Sequence, residues 1–220
     1  MAMTLTIDEG TAQKRRLERK ERRHENRRRT ILDAARVILA REGIQNFSVN
    51  AVARAADVSK PAVYYYFESK EELIFELAVD AELEESKKIL EALSSDAGGV
   101  GALVALLQAY VGHYLGDLDK FRLRYVWPQV LGINGRLLAA KSQQRTREVD
   151  ALVARRLERD RASGRLTAPL DVMQFTRLAR VMAHGIVAQA CHTASSASDV
   201  QLNVHELCHS ACEQVKKFAS

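Results

Sequence analysis

The sequence has few of the residues that stabilise β-sheets and exported domains. Of its 220 residues, 6% are aromatic, three are proline and three are cysteine. The alternation of apolar and polar residues that marks a half-buried strand is absent. Almost half of the residues are apolar, which is enough to bury a core in a chain of this length. The composition therefore predicts an all-helical protein.

The three cysteines are an odd number, and all of them lie in the last thirty residues. The first ten residues are polar and acidic, which is not the pattern of an export signal. Reduced thiols in a cytoplasm are therefore expected. Two uncharged runs, 97–116 and 181–198, are interrupted by glycine, glutamine and histidine. We expect buried bundle helices there instead of membrane spans.

The net charge of +5 is not spread evenly along the chain. Residues 1–70 carry fifteen Lys and Arg against nine Asp and Glu, whereas residues 71–220 are close to neutral. The densest run is 14–29, with ten basic and three acidic side chains. A basic N-terminal part followed by a neutral remainder is expected of a protein that binds nucleic acid through one end.

The segment 48–70, SVNAVARAADVSKPAVYYYFESK, has the pattern of two short helices joined by a tight turn. Ser48 and Ser59 are good N-caps, and Asp57 tolerates the left-handed conformation that a tight turn needs. Pro61 suits the first turn of a helix because its missing N–H has no partner there. Two helices joined in this way form a helix-turn-helix, whose second helix enters the DNA major groove.

Residues 30–77, TILDAARVILAREGIQNFSVNAVARAADVSKPAVYYYFESKEELIFEL, closely resemble the DNA-binding domain of the TetR family of bacterial transcriptional regulators. The shared elements are a helix ending at Gly43, the AVARAADVSK turn, the short helix ending in YYYF, and SKEEL at the start of the next helix. The chain departs from the family at Asp57, where glycine is usual. It also departs at Pro61 and Ala62, which replace a small or hydroxylated pair.

This resemblance implies an all-α fold of about nine helices, with a three-helix DNA-binding domain followed by a helical ligand-binding and dimerisation domain. We expect a basic arm over 1–25, the helix-turn-helix domain over 26–72 and the regulatory domain over 73–220, with residues 1–13 disordered. Pro128 should end or kink its helix. The expected helix bounds outside the helix-turn-helix are 26–42, 69–93, 100–115, 120–131, 135–162, 171–192 and 198–218.

The second short helix offers groups suited to DNA. Tyrosine hydroxyls and lysines donate to phosphate oxygens, and Ala62 could meet a thymine methyl. Packing is the alternative role for the tyrosines, but three consecutive tyrosines cannot all face the core, because successive side chains point about 100° apart. The resemblance implies phosphate contacts from Ser48, Tyr64, Tyr66 and Lys70, and base-facing positions for Lys60, Pro61, Ala62 and Tyr65. The full set of expected DNA-binding residues adds Ser59, Arg27 and Arg28.

The basic run 14–29 has two interpretations. It is either a solvated, charged end of the first helix, or an arm that follows phosphates or reaches the minor groove. We favour the arm, because the run directly precedes the helix-turn-helix. Truncating it should then weaken binding to all DNA sequences.

A second cluster of reactive side chains lies near the C-terminus. His205, Cys208, His209 and Cys212 are spaced by three and four, so they share one helix face and could bind zinc or sense oxidation. The spacing is not that of a zinc finger, and we favour a structural role without metal or cofactor. In that role Cys208 is a small hydrophobe in an apolar seam with Val204, Ala211, Val215 and Phe218.

The resemblance also implies an effector pocket and a homodimer. Such pockets are mostly apolar with a few polar anchors. The candidate pocket residues are Tyr110, His113, Tyr114, Tyr125, Trp127, Phe175, Met182 and His184. The last two helices should form the dimer interface, through the apolar seam of the final helix and a second face with Phe175, Leu178, Met182 and Ile186. The operator should then be a near-palindrome, and the effector should release it.

Two other classes of protein remain as alternatives. An enzyme is disfavoured, because the sequence has no phosphate loop, nucleophile elbow or HExxH motif, and Cys208 and Cys212 lack redox spacing. A nucleic-acid coating protein without sequence preference would explain the basic arm, but the ordered helix-turn-helix pattern favours a specific site.

Overall fold

The computed structural model describes the backbone of residues 3–95, 97–133, 135–169, 171–193 and 197–219. Side chains are described for the same residues except 3–11, 135–143, 192–193, 197–202 and 219. All regular structure in these ranges is helical. The helices are α1 (Met3–Asn46), α2 (Val49–Ala55), α3 (Lys60–Tyr66), α4 (Lys70–Ala92), α5 (Gly98–Leu115), α6 (Leu118–Phe121), α7 (Trp127–Val130), α8 (Gly135–Ala162), α9 (Val172–Thr193) and α10 (Ala197–Ala219), with a π turn over Arg122–Val126.

The all-α expectation is confirmed, and most helix bounds agree with the sequence pattern to within two residues. If the continuous stretch 118–130 is counted as one helix, the described residues form nine helices. The largest disagreement is at the N-terminus. Residues 3–13, for which we expected disorder, are helical, so α1 begins some twenty residues before the expected start of the first helix. The final helix starts at Ala197, one residue before Ser198.

Pro128 distorts its helix as expected, and the structure shows how. Pro128 has no N–H to donate to the carbonyl of Arg124, and its ring crowds that carbonyl. The helix widens before the proline into the π turn, where the Trp127 N–H bonds to the Arg122 carbonyl. α7 then starts with Pro128 in its first turn, where the missing donor costs nothing.

The chain forms two compact units, residues 1–77 and 78–220. The N-terminal unit is built on α1, α2, α3 and the first turns of α4. As expected, the apolar stripe of α1 is buried with Val63 and Phe67. Gly43 has φ 70° and interrupts the helical path of α1 near its end, a conformation that favours glycine. The buried residues of the stripe are Ile31, Ala35, Ile38 and Leu39.

α5 is the central helix of the C-terminal unit and packs against α8, α9 and α10. Gly99 lets α5 and α8 approach closely, since a Cβ there would lie 2.5 Å from the backbone of Leu157. The Gly99 N–H donates to the Asp160 carboxylate at 2.6 Å. Within the described residues, α5 alone is long and apolar enough to cross a membrane, with mean hydropathy 1.2. Its buried Leu106 and Tyr110 belong to the core of this unit.

We expected the apolar seam of α10 to face a partner subunit, but most of the seam is covered by its own unit. Val204, Ala211 and Val215 are buried in the core of their own unit, and so are Phe175 and Ile186 of α9. Hydrophobic periodicity identifies an apolar face but not the surface that covers it. Two of the expected residues, Leu178 and Phe218, remain exposed, together with Val181 and Leu207 on the same two helices.

Candidate nucleic-acid interface

Local chemistry fixes the turn and the start of the second short helix, α3. Asp57 has φ 52° and is the only non-glycine residue with positive φ in the described chain. The Val58 N–H then donates to the Ala53 carbonyl at 3.0 Å and closes the turn. Ser59 caps α3, because its hydroxyl accepts from the Ala62 N–H at 3.2 Å. Both expectations for this turn are confirmed.

α3 buries one side and exposes the other. Val63 and the following Phe67 are 1% exposed and anchor the helix in the N-terminal unit. Tyr64 and Tyr65 are 43% and 72% exposed, so packing does not explain them. The remaining outward residues of α3 and its cap are Ser59, Lys60 and Pro61, with Ala62 and Tyr66 half-buried.

Ser48 and Lys70 lie at the starts of the two helices that flank α3. Ser48 caps α2, and its hydroxyl accepts from the Ala51 N–H at 3.2 Å. Ser69 caps α4 by accepting from the Glu72 N–H at 3.0 Å, and the Glu72 carboxylate accepts from the N–H of Glu68. The Lys70 ammonium lies 5.6 Å from the centre of the Phe47 ring, which holds it at the start of α4.

Arg27 and Arg28 of α1, both of which we expected to contact DNA, lie in different environments. Arg27 is exposed. Arg28 forms an ion pair with Glu76 at 3.0 Å, and its guanidinium lies 4.9 Å from the centre of the Phe67 ring. The structure therefore gives Arg28 contacts within its own unit, which the sequence pattern did not reveal.

His24 is a member of this surface that sequence reasoning missed. Its ring lies 4.7 Å from the Tyr66 ring and 5.9 Å from the Tyr65 ring, between centroids. The basic part of α1 is thus attached to α3 by three aromatic rings. His24 lies seven residues before Ile31 of the buried stripe, and this heptad spacing was the available signal.

Comparison with known proteins agrees with this geometry. The family model described as "Bacterial regulatory proteins, tetR family" matches residues 31–77, the stretch that holds the capped turn and α3. Residues 31–77 therefore carry a domain of the TetR family. No curated protein matches the chain by sequence. This match identifies residues 31–77 of the N-terminal unit as the helix-turn-helix domain that the TetR family of transcriptional regulators shares.

Solved structures share the fold over most of the chain. A protein of unknown function from Rhodococcus sp. RHA1 has a TM-score of 0.65 and 22% identity, covering 86% of this chain and 94% of that chain. FadR from Bacillus subtilis, solved with stearoyl-CoA, has a TM-score of 0.65 and 18% identity, covering 87% and 98%. A TetR/AcrR regulator from Thermobifida fusca has a TM-score of 0.63 and 22% identity, covering 85% and 97%. At these identities the likeness establishes the fold.

The C-terminal unit brings several of the expected pocket residues together. The Tyr110 hydroxyl and His184 Nδ1 are 3.0 Å apart, and the Tyr125 and His184 rings are 4.6 Å apart. Tyr114 contacts both Tyr110 and Tyr125, and His113 contacts Tyr114. The remaining three candidates make no ring stacking or hydrogen bond with this group among the described residues; they are Trp127 and Phe175, both buried, and the half-buried Met182.

Charged residues at the same place were not expected from the sequence. Glu85 is 3% exposed, and its Oε2 accepts from the hydroxyls of Tyr114 at 2.5 Å and Tyr125 at 3.2 Å. Arg180 donates to Asp150 Oδ1 at 2.6 and 3.1 Å. Burial and the neighbouring Glu85 raise the pKa of Tyr125 to about 12, and burial lowers the pKa of His184.

The late cysteines and histidines do not form a metal site among the described residues. No group of three or more His, Cys, Asp or Glu there is arranged to hold a metal ion. Burial raises the pKa of Cys208 to about 12, so its thiol stays protonated and unreactive. His205, Cys208 and His209 instead line one side of a groove of about 350 Å³ between α10 and α5.

Proposed function

We propose that this TetR-family protein is a cytoplasmic transcriptional repressor that binds a near-palindromic operator as a homodimer and is released by a small-molecule effector. The observation that carries the proposal is α3, a capped helix whose Lys60, Pro61, Tyr64 and Tyr65 face solvent in the basic part of the chain. A helix of this kind fits the major groove, and exposed aromatic rings are otherwise unfavourable in water.

Within this proposal, the start of α3 reads bases and its surroundings bind phosphates. Lys60, Pro61 and Ala62 lie in the first turn, which is the part of a recognition helix that approaches base edges. Tyr65 extends the same readout. Tyr64, Tyr66, Lys70 and Ser48 donate to phosphate oxygens and set the register, as does Ser59.

The arm contributes affinity without sequence preference. The basic side chains of the run 14–29 other than Arg28 are exposed, Arg27 among them, and carry the charge that releases counterions from DNA. The rings of His24, Tyr65 and Tyr66 hold the arm beside α3. Arg28 acts indirectly, by holding α1 against Glu76 and Phe67.

Dimerisation uses the exposed apolar residues of the last two helices. Leu178 and Val181 on α9, with Leu207 and Phe218 on α10, are 40 to 65% exposed. A partner subunit that covers the same face by two-fold symmetry removes this apolar surface from water. Two recognition helices then lie about one DNA turn apart, which requires an inverted repeat.

The effector acts from the C-terminal unit, where the rings of Tyr110, Tyr114, Tyr125 and His184 meet. An effector that prefers the dimer conformation with misaligned recognition helices lowers DNA affinity by its differential affinity for the two conformations. FadR from B. subtilis was solved in complex with stearoyl-CoA, so a protein of this fold holds a small molecule. The enzyme alternative is not favoured by any of these contacts.

Affinity measurements with matched lysine variants test the proposal. A duplex selected from a random pool should bind at least about a thousandfold more tightly than a scrambled duplex at physiological salt. Lys60→Ala should reduce that ratio, whereas Lys87→Ala, which removes an exposed lysine of the C-terminal unit, should not. Equal affinity for both duplexes would contradict the proposal and favour a coating protein.

A further inference from the structure

A connected group of aromatic rings surrounds a buried carboxylate in the C-terminal unit. We call this group the Glu85 cluster; it comprises Glu85, Tyr110, Tyr114, Phe121, Tyr125, Asp150, Arg180 and His184. Each ring contacts at least two others, with centroid distances from 4.6 to 6.4 Å. Helices α4, α5, α6, α8 and α9 and the π turn all contribute to it.

Two carboxylates in the cluster share one guanidinium. Arg180 uses its Nε and Nη2 for Asp150, and its Nη1 lies 3.8 Å from Glu85 Oε1, which is beyond hydrogen-bond distance. Oε1 of Glu85 has no hydrogen bond to any described residue, although the side chain is only 5% exposed. This oxygen keeps free acceptor capacity, and Arg180 offsets its charge only in part, so the position favours a further positive group.

The surrounding rings are neutral and attract positive charge. Burial raises the pKa of the phenols of Tyr110 and Tyr114 and lowers that of His184, so none of these rings supplies a charge at pH 7. The faces of such rings bind cations. One ring face already does so, because the Arg124 guanidinium lies 4.9 Å from the centre of the Tyr125 ring.

The backbone that carries Tyr125 has an unusual conformation. It lies within the π turn Arg122–Val126, which Pro128 enforces. π turns are rare and occur frequently at functional sites, because the extra residue redirects side chains. The distortion therefore places the Tyr125 ring and hydroxyl where a regular helix would not.

We propose that the Glu85 cluster binds an organic cation, a protonated amine or quaternary ammonium group on a flat apolar frame. The cation lies against Glu85 Oε1 and the faces of the Tyr125 and His184 rings. This inference rests on the proposed effector-controlled function and adds the chemical class of the effector. Anionic ligands are disfavoured, since Arg180 offsets only one of the two negative charges of Glu85 and Asp150.

Three small probes of matched size test the chemical class by isothermal titration calorimetry on the full chain. They are phenyltrimethylammonium, its neutral isostere tert-butylbenzene, and the anion benzenesulfonate. The cation should bind at least about tenfold more tightly than the neutral isostere, because the two differ only in charge. Benzenesulfonate should bind most weakly. Equal binding of the cation and the isostere, or no binding of the cation at millimolar concentration, would overturn the inference.

Variants locate the site. Glu85→Gln should bring the affinities of the cation and the isostere to within about twofold, because the amide keeps the shape but loses the charge. Glu84→Gln, at the neighbouring position with a 40% exposed side chain, should leave the preference unchanged. If Glu85→Gln does not fold, Tyr125→Leu should lose the preference for the cation over its neutral isostere, while Tyr125→Phe should keep most of this preference. A preference that survives both Glu85→Gln and Tyr125→Leu would place the cation elsewhere.

The outcomes separate this inference from the proposed function. If the protein binds a selected inverted repeat but shows no preference for the cation, this inference is wrong and the proposed DNA-binding function stands. If the protein binds the cation in a Glu85-dependent manner but has no preferred DNA sequence, this inference stands and the proposed repressor function is wrong.

Discussion

At the scale of single residues, Tyr65 and Lys70 separate base readout from phosphate binding. Tyr65 is 72% exposed on α3, whereas Lys70 is half-buried beside Phe47. Tyr65→Ala should change sequence preference by about 1–3 kcal/mol at one position of the operator. Lys70→Ala should weaken binding to all DNA sequences alike. It should also lower the slope of log affinity against log salt concentration by about one. Competition binding against single-base operator variants distinguishes the two, and the reverse pattern would contradict these roles.

His184 is a second single residue with a testable effect, because its protonation makes the free energy of unfolding depend on pH. Burial lowers its pKa in the folded protein below the unfolded value of about 6.5. Its contribution to stability is therefore complete above pH 6.5 and is lost as the pH falls, because the unfolded chain binds the proton more readily. Urea unfolding at pH 7.5 and 5.5 should show a smaller pH effect in His184→Gln than in the wild type. An unchanged pH effect would mean that His184 does not titrate as described.

At the scale of elements, the N-terminal extension of α1 should supply affinity for any duplex. Removal of residues 1–25 eliminates seven of the ten basic residues of the run 14–29, together with His24. Affinity for operator and scrambled DNA should fall by a similar factor, and the plot of log affinity against log salt should become flatter. Fluorescence anisotropy at several salt concentrations measures both quantities. Unchanged affinity and slope would show that the extension is a solvated helix end.

Elements whose signals are local in sequence were predictable, and those that depend on distant partners were not. The caps Ser48 and Ser59 and the left-handed Asp57 follow from neighbours within four residues. The bond between Arg180 and Asp150 joins residues thirty positions apart, and the periodicity of one helix holds no information about it. A helical extension over 14–29 was the less favoured of two interpretations because charge density suggested an arm, and the helical spacing from His24 to Ile31 is weak evidence by itself.

At the scale of the whole molecule, the proposed function requires two symmetric DNA-reading helices. Two observations support this arrangement: the outward residues of α3 and the exposed apolar residues of α9 and α10. The structure adds Val181 and Leu207 to Leu178 and Phe218, which the sequence pattern had already placed on the dimer faces, and buries most of the other expected residues within one subunit. Periodicity shows that α10 is amphipathic, but both an intramolecular neighbour and a partner subunit can cover an apolar face.

The most direct test is protection of guanine N7 from methylation on a selected operator duplex, since this atom lies in the major groove. The account predicts two protected patches, about one DNA turn apart and related by two-fold symmetry. Both should disappear together in a Lys60→Ala, Tyr65→Ala double variant. A single patch, or protection that survives this double variant, would contradict the claim that α3 reads the major groove twice.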